Sequence, residues 1–268
     1  MAEQMLPGGI RISLDDEGSG PSIVFLHGVL MSRQFFKLQL PYFSRDYRVL
    51  ALDYRGHGNS DKVLGGHTVA SYARDLKELL AARRVERPVL VGWSMGAMVI
   101  FEYLQLYEQD GVPGIVIMDQ PPTDFAWDGY EYPVFTLDSL VRTVNGLQTD
   151  QAAQASAFVE LMLHRPSESA AKWMAVEIMK VPPAIATAIL VTQTFQDYRE
   201  FLPKIRVPTL LAFGGDDKFI SPLAGEFMAS RIPRSRLLIF EHSSHCPFFE
   251  EPKRFNQALR EFVQSVIV

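Results

Sequence analysis

Apolar residues follow two rhythms along this chain, and the rhythms divide it. Continuous apolar blocks at Ser22-Ile23-Val24-Phe25-Leu26, Tyr47-Arg48-Val49-Leu50-Ala51-Leu52, Pro88-Val89-Leu90-Val91 and Gly114-Ile115-Val116-Ile117-Met118 predict strands covered on both faces, as in a parallel sheet. Two more blocks, Pro208-Thr209-Leu210-Leu211-Ala212-Phe213 and Arg236-Leu237-Leu238-Ile239-Phe240, predict the same near the end. Ile10-Arg11-Ile12-Ser13-Leu14 alternates instead. Following Pro7-Gly8-Gly9, it predicts a hairpin arm paired with the first few residues, with 15–21 as loop. Between blocks the period lengthens to that of a helix, over 33–43, 68–83 and 253–266 and again after Pro222. The 68–83 segment places Val69, Tyr72, Ala73, Leu76, Leu79 and Leu80 on one face. Strands alternating with helices predict an α/β fold with a mostly parallel, doubly wound central sheet.

The alternation stops once. From Thr123 to about Glu200 no strand block occurs, and helix-period stretches appear at 137–145, 151–164, 167–180 and 183–198. Pro133, Pro166, Pro182 and Pro183 separate them. This predicts an inserted all-helical cap over 123–200, flanked by core segments 1–122 and 201–268.

Composition narrows the function. Of 268 residues 47% are hydrophobic and 21% charged, the balance of a folded globular chain. A net charge of -5 argues against a nucleic-acid partner. The basic run Arg83-Arg84-Val85-Glu86-Arg87 ends a predicted helix, where positive charge suits the dipole. One cysteine excludes an internal disulfide framework. The N-terminus lacks the basic and apolar regions of a secretory signal, and no apolar run is long enough to span a bilayer. The expectation is a cytoplasmic protein without a membrane partner, its oligomeric state left open.

The chemistry gathers at Val89-Leu90-Val91-Gly92-Trp93-Ser94-Met95-Gly96-Ala97-Met98, a G-x-S-x-G pentapeptide between a predicted strand and a predicted helix. A serine on so sharp a turn is forced outward, and a Cβ at Gly92 or Gly96 would crowd it. The helix aims its N-terminal N–H groups at the place where an oxyanion would form. No G-x-x-x-x-G-K-[ST] loop or strand-linked G-x-G-x-x-G is present, so nucleotide binding has no support.

Four segments resemble the α/β-hydrolase fold family: Phe25-Leu26-His27-Gly28, the 53–61 loop DYRGHGNSD, GWSMG at 92–96, and GGDDKFISP with HSSHCPFFEEP near the end. Within it the chain looks closest to small serine esterases, lactonases and cofactor-free haloperoxidase-like enzymes. The resemblance implies Ser94 as nucleophile and a histidine after the last strand as base. His245, which precedes Pro247-Phe248-Phe249-Glu250-Glu251-Pro252, fits the family better than His242. A G-x-x-D spacing from Gly214 selects Asp217 over Asp216 as the orienting acid and leaves Asp216 to bond its own backbone in the turn. The oxyanion donors would be the N–H groups of Met95 and Val29. His27 is expected to hold the oxyanion loop, and Asp53, Arg55, His57 and Asp61 to bond one another. A metal site from Asp53, His57 and Asp61 lacks ligand spacing, so neither metal nor cofactor is expected. Cys246 is expected to pack as a buried thiol.

Aromatic and Met residues of the insertion exceed what a solvated bundle needs. Trp127, Phe135, Phe158 and Met162 are expected to line an apolar pocket with Leu30, Met95 and Phe219. That favours a small, uncharged ester or lactone, cleaved through an acyl-enzyme. The alternatives on this fold are perhydrolase, haloperoxidase-like, oxygenase or lyase chemistry, and a non-catalytic ligand-binding protein. Haloalkane dehalogenation is disfavoured, since those enzymes carry aspartate where this chain has Ser94.

Overall fold

The apolar blocks meet in a single eight-stranded sheet. In this computed structural model, which describes residues 2–107 and 109–267, β1 (Ala2–Met5) and β2 (Arg11–Glu17) form an antiparallel hairpin. Then come β3 (Ser22–Leu26), β4 (Arg48–Leu52), β5 (Val89–Trp93), β6 (Ile115–Met118), β7 (Thr209–Gly214) and β8 (Ser235–Phe240). These six run parallel, and the strand order is β1-β2-β4-β3-β5-β6-β7-β8. Every residue of β3, β5, β6 and β7 is buried, as continuous apolar strands covered on both faces must be. The register pairs Leu26 with Gly92, Trp93 with Met118 and Gly214 with Phe240. The carboxyl ends of these strands therefore share one edge of the sheet, where open α/β sheets bind their ligands.

The helices are α1 (Leu40–Phe43), α2 (Val69–Ala82) and α3 (Met95–Leu106), then α4 (Leu137–Thr149), α5 (Gln151–Met162), α6 (Glu168–Ile178) and α7 (Pro183–Thr194). After β7 come α8 (Leu223–Ala229), α9 (Pro247–Glu250) and α10 (Pro252–Val266). The hydroxyl of Thr68 caps α2 by accepting from the Ser71 N–H, and Thr136, Asp150 and Ser167 cap α4, α5 and α6 in the same way. Among the described residues, no single helix is long and apolar enough to cross a membrane.

Several boundaries differ from those read in the sequence. The expected helix over 33–43 is broken into a 3-10 turn, Arg33–Phe36, and the short α1, because Pro41 suits the start of a helix and not its interior. Strand β2 continues to Glu17 where a loop was expected. Asp15 and Asp16 pair with Ala51 and Leu50 of β4, and their carboxylates meet Arg33 and Arg48 at 2.9 and 2.8 Å. The helix expected to 198 ends at Thr194, and α9 forms inside the stretch expected to be loop.

Helices α4–α7 all lie between β6 and β7, with two isolated bridges, Thr123–Asp197 and Phe125–Phe135, as the strand-like pairings there. Polar ties join this segment to the sheet's loops. Ser32 Oγ donates to Glu177 at 2.6 Å, Ser244 Oγ to the Leu161 carbonyl at 2.8 Å, and Lys218 Nζ to the Leu163 carbonyl at 3.0 Å. The Lys37 ammonium lies 3.8 Å from the centre of the Trp173 ring.

Candidate active site

Ser94 stands between β5 and α3 with φ 51° and ψ -124°. A non-glycine residue rarely holds this conformation, and its strain persists because the surroundings fix it. The Ser94 N–H donates to the Met118 carbonyl at 2.9 Å, and the Ser94 carbonyl accepts from the Ala97 N–H at 2.8 Å. A Cβ on Gly92 would lie 2.5 Å from the Gly96 carbonyl oxygen, and one on Gly96 would lie 2.1 Å from that of Leu26. Both contacts are impossible, so the turn requires glycine on each side.

The loop after β3 lies against this turn. A Cβ on Gly28 would stand 3.1 Å from Ser94 Cβ. Among the described residues neither the Val29 N–H nor the Met95 N–H donates to a protein acceptor. Met95 is the first residue of α3, where N–H groups have no intrahelical partner and the dipole is positive. His27 fixes the loop from below. Its Nδ1 lies 2.8 Å from the Gly28 carbonyl, while its Nε2 accepts from the Tyr54 N–H at 3.3 Å. Full burial drives its pKa down to about 3, so the ring is neutral, with the proton on Nδ1.

His245 follows β8 and is 4% exposed. Its Nδ1 lies 3.0 Å from Asp217 Oδ2, which leaves Nε2 as the free ring nitrogen. The imidazole lies between Trp93 and Phe219, with ring centres 5.5 and 5.6 Å away. The Trp93 indole N–H donates to the His245 carbonyl at 2.8 Å. Asp217 Oδ1 accepts from the Phe219 N–H at 2.6 Å, so the turn bonding expected of Asp216 belongs to Asp217. Asp216 instead bonds His164 of the helical segment, and the exposed His242 lies outside the cavity. Cys246 is fully buried, and burial pushes its thiol pKa well up.

A fourth side chain, a second acid, lies behind Asp217. Asp119, just past β6, is fully buried at φ 41°. Its Oδ1 accepts from the Gly214 N–H at 2.9 Å, and its Oδ2 has no hydrogen-bond partner. Side-chain atoms of Asp119, Asp217 and His245 lie within 4.8 Å of one another. Burial first, and then the charge of Asp217, push the Asp119 pKa well above the carboxylate range, which favours its protonated form.

Ser94 and His245 line one cavity, without a direct hydrogen bond between them among the described residues. The space encloses about 510 Å³ including its mouth. Of the expected lining residues Phe135, Phe158, Met162 and Phe219 face it, together with Val29. Leu30, Met95 and Trp127 do not. Leu30 turns into the core at φ 63°, and Trp127 packs on Phe125 and Phe195 with ring centres at 4.9 and 6.2 Å. The sequence reading missed Met31, Val134, Leu190 and Ile220, and also a polar group of Gln120, Asp124 and Gln193. The one signal for Gln193 is a long amide side chain near the end of α7, whose other polar residues are threonines. Burial raises the Asp124 pKa to about 6, against the hydrogen bonds donated by Gln193 and Gln120.

The 53–61 loop differs from expectation. Asp53 bonds the Arg33 side chain and accepts from the Asn59 N–H at 2.9 Å, Arg55 reaches Asp75 at 2.7 Å, and Asp61 meets Arg11 at 2.8 Å. Of the four residues expected to bond one another, one pair does so among the described residues, His57 Nδ1 lying 3.1 Å from the Arg55 carbonyl. The others brace the loop from outside.

A family model described as alpha/beta hydrolase fold matches residues 21–252. A pimeloyl-[acyl-carrier protein] methyl ester esterase of Nitrosomonas europaea is 28% identical, covering 91% of this chain and 96% of its own. An esterase from Exiguobacterium antarcticum superposes with a TM-score of 0.94 at 27% identity, covering 98% of this chain and 99% of that one. A bromoperoxidase from Bacillus anthracis reaches 0.93 at 24% identity, covering 98% and 100%, a likeness of fold. With the strand order, the glycine-flanked serine turn and this match over most of its length, the chain belongs to the alpha/beta hydrolase fold family.

Proposed function

We propose that this protein is a serine hydrolase that cleaves a carboxylic ester or lactone of a small, largely apolar substrate through an acyl-enzyme. The observation that carries this reading is the strained Ser94 turn sharing a cavity with an imidazole whose Nδ1 is held by Asp217. In the proposed sequence, Ser94 Oγ attacks the carbonyl carbon and its proton passes to His245 Nε2. Asp217 holds the ring and stabilises the imidazolium. The Met95 and Val29 N–H groups receive the oxyanion, each donor of this kind contributing about 3 kcal/mol. Collapse breaks the ester C–O bond, and His245 returns the proton to the leaving oxygen. Water then attacks the acyl carbon, giving its proton to the same nitrogen, and the acid leaves as Ser94 is reprotonated. Every step draws on groups of this chain and water.

Two measurements test the reading. Ser94→Ala should lower p-nitrophenyl ester turnover by at least about 10³-fold. A fluorophosphonate probe should label the wild-type protein on Ser94 and leave the variant unlabelled. Near-wild-type turnover by Ser94→Ala would overturn the assignment.

A further inference from the structure

The cavity that holds Ser94 is apolar apart from its reacting groups and one cluster. Gln120, Asp124 and Gln193 line it and are 1%, 2% and 3% exposed, so their polar atoms must find partners inside the protein. Asp124 Oδ1 accepts from Gln120 Nε2 at 2.7 Å, and Oδ2 accepts from Gln193 Nε2, also at 2.7 Å. Gln120 Nε2 also donates to the Pro121 carbonyl at 3.0 Å, which uses both its hydrogens. Of the two amide oxygens in the cluster, Gln193 Oε1 is buried and has no hydrogen-bond partner among the described residues.

This arrangement is costly for a site built only for hydrocarbon. Burying a carboxylate and leaving an acceptor without a partner both cost stability, and a donor on a bound molecule would relieve the second. The carboxylate fixes the Gln193 amide by its nitrogen and so holds the oxygen in one orientation. We propose that Gln193 Oε1, set in place by Asp124, is a specificity anchor that accepts a hydrogen bond from a neutral donor on the substrate, an alcohol O–H or an amide N–H remote from the scissile carbonyl. The free acceptor is a neutral carbonyl in an otherwise apolar cavity, so a neutral donor enters at a lower desolvation cost than an ammonium. An anionic tail would meet the charge of Asp124. The substrate class narrows to uncharged esters or lactones whose apolar body carries one hydroxyl or amide group. This rests on the hydrolase reading, since it assumes that the cavity holds the substrate.

The test is a set of p-nitrophenyl hexanoates hydroxylated at successive carbons, with an acetamido-bearing member, each compared with the plain hexanoate. Wild-type kcat/KM should favour at least one donor-bearing ester about fivefold or more, and Gln193→Met should bring that ratio close to one. No preference anywhere in the set overturns the proposal. A preference that survives Gln193→Met overturns it as well, leaving the cluster as a staple between α7 and the loop after β6. Calorimetric binding of the same esters to Ser94→Ala reads the anchor without turnover and without altering Gln193. If wild-type protein hydrolyses none of the esters but Ser94→Ala binds a donor-bearing ester more tightly, the hydrolase reading fails and the anchor stands. If all are hydrolysed at equal rates and bound equally, the anchor fails and the hydrolase reading stands.

Discussion

At the residue scale the candidate site is a chain of four side chains, and Asp119 is the one that spacing does not suggest. Asp-Gln-Pro-Pro after an apolar block reads as a strand end and a turn, so nothing in it points to a proton carrier. Its character comes from tertiary burial and from facing Asp217, which local sequence does not encode. In the protonated form that burial favours, Asp119 would be a donor able to keep Asp217 oriented toward His245. Asn supplies the same donor in nearly the same shape. Asp119→Asn should therefore keep kcat/KM within about threefold, while Asp119→Ala, which also strands the Gly214 N–H, should lose about tenfold or more. Equal damage from both substitutions, measured on one ester, would remove the positioning role. The doublets Asp216-Asp217 and His242/His245 could be separated in the sequence only through the family resemblance, by spacing from Gly214 and from the 247–252 run; the structure has Asp217 3.0 Å from His245 Nδ1 and Asp216 bonded to His164. Leu30 and Trp127 were harder. Hydrophobicity shows that a side chain is buried, and whether it is buried in core or cavity depends on a backbone angle such as φ 63° at Leu30.

At the scale of elements, the parallel strands were legible because burial on both faces leaves an unbroken apolar block. The second half of β2 was hidden for the opposite reason. Asp15, Asp16 and Glu17 look like loop until Arg33 and Arg48, remote in sequence, neutralise the first two. The strand-turn-helix around Ser94 was legible since its glycines are dictated by backbone approach and not by taste for flexibility. Gly96→Ala should accordingly lower unfolding free energy by about 2 kcal/mol or more, as Leu26 and α3 are pushed apart. Gly65→Ala, whose Cβ would meet nothing within 4 Å, should change it by less than about 0.5 kcal/mol. Denaturant titration of the two variants provides the comparison, and equal stability would discard the close-approach account.

At the scale of the molecule, the inserted helices are tied to the same loops that carry Asp217 and His245. Lys218 and Ser244, neighbours of those two residues, reach the carbonyls that end α5. The pairing of His164 with Asp216, and the His164 N–H donated to Glu250 at 2.6 Å, add to the same corner. Lys218→Met combined with Ser244→Ala should speed amide hydrogen exchange in α5 and α6 while β3, β5 and β6 keep their protection. Faster exchange spread evenly over the sheet, or none at all, would count against a corner that opens on its own.

The bond from the Trp93 indole to the His245 carbonyl joins residues 152 positions apart. During synthesis, then, the serine emerges from the ribosome long before the imidazole that would activate it, and β8, the strand leading to that imidazole, is the last to join the sheet at its margin. A nascent or C-terminally clipped chain would carry its nucleophile with no base to activate it. On the proposed mechanism, chemistry would switch on only with the closing of that final edge, and a chain stopped before His245 would be inactive.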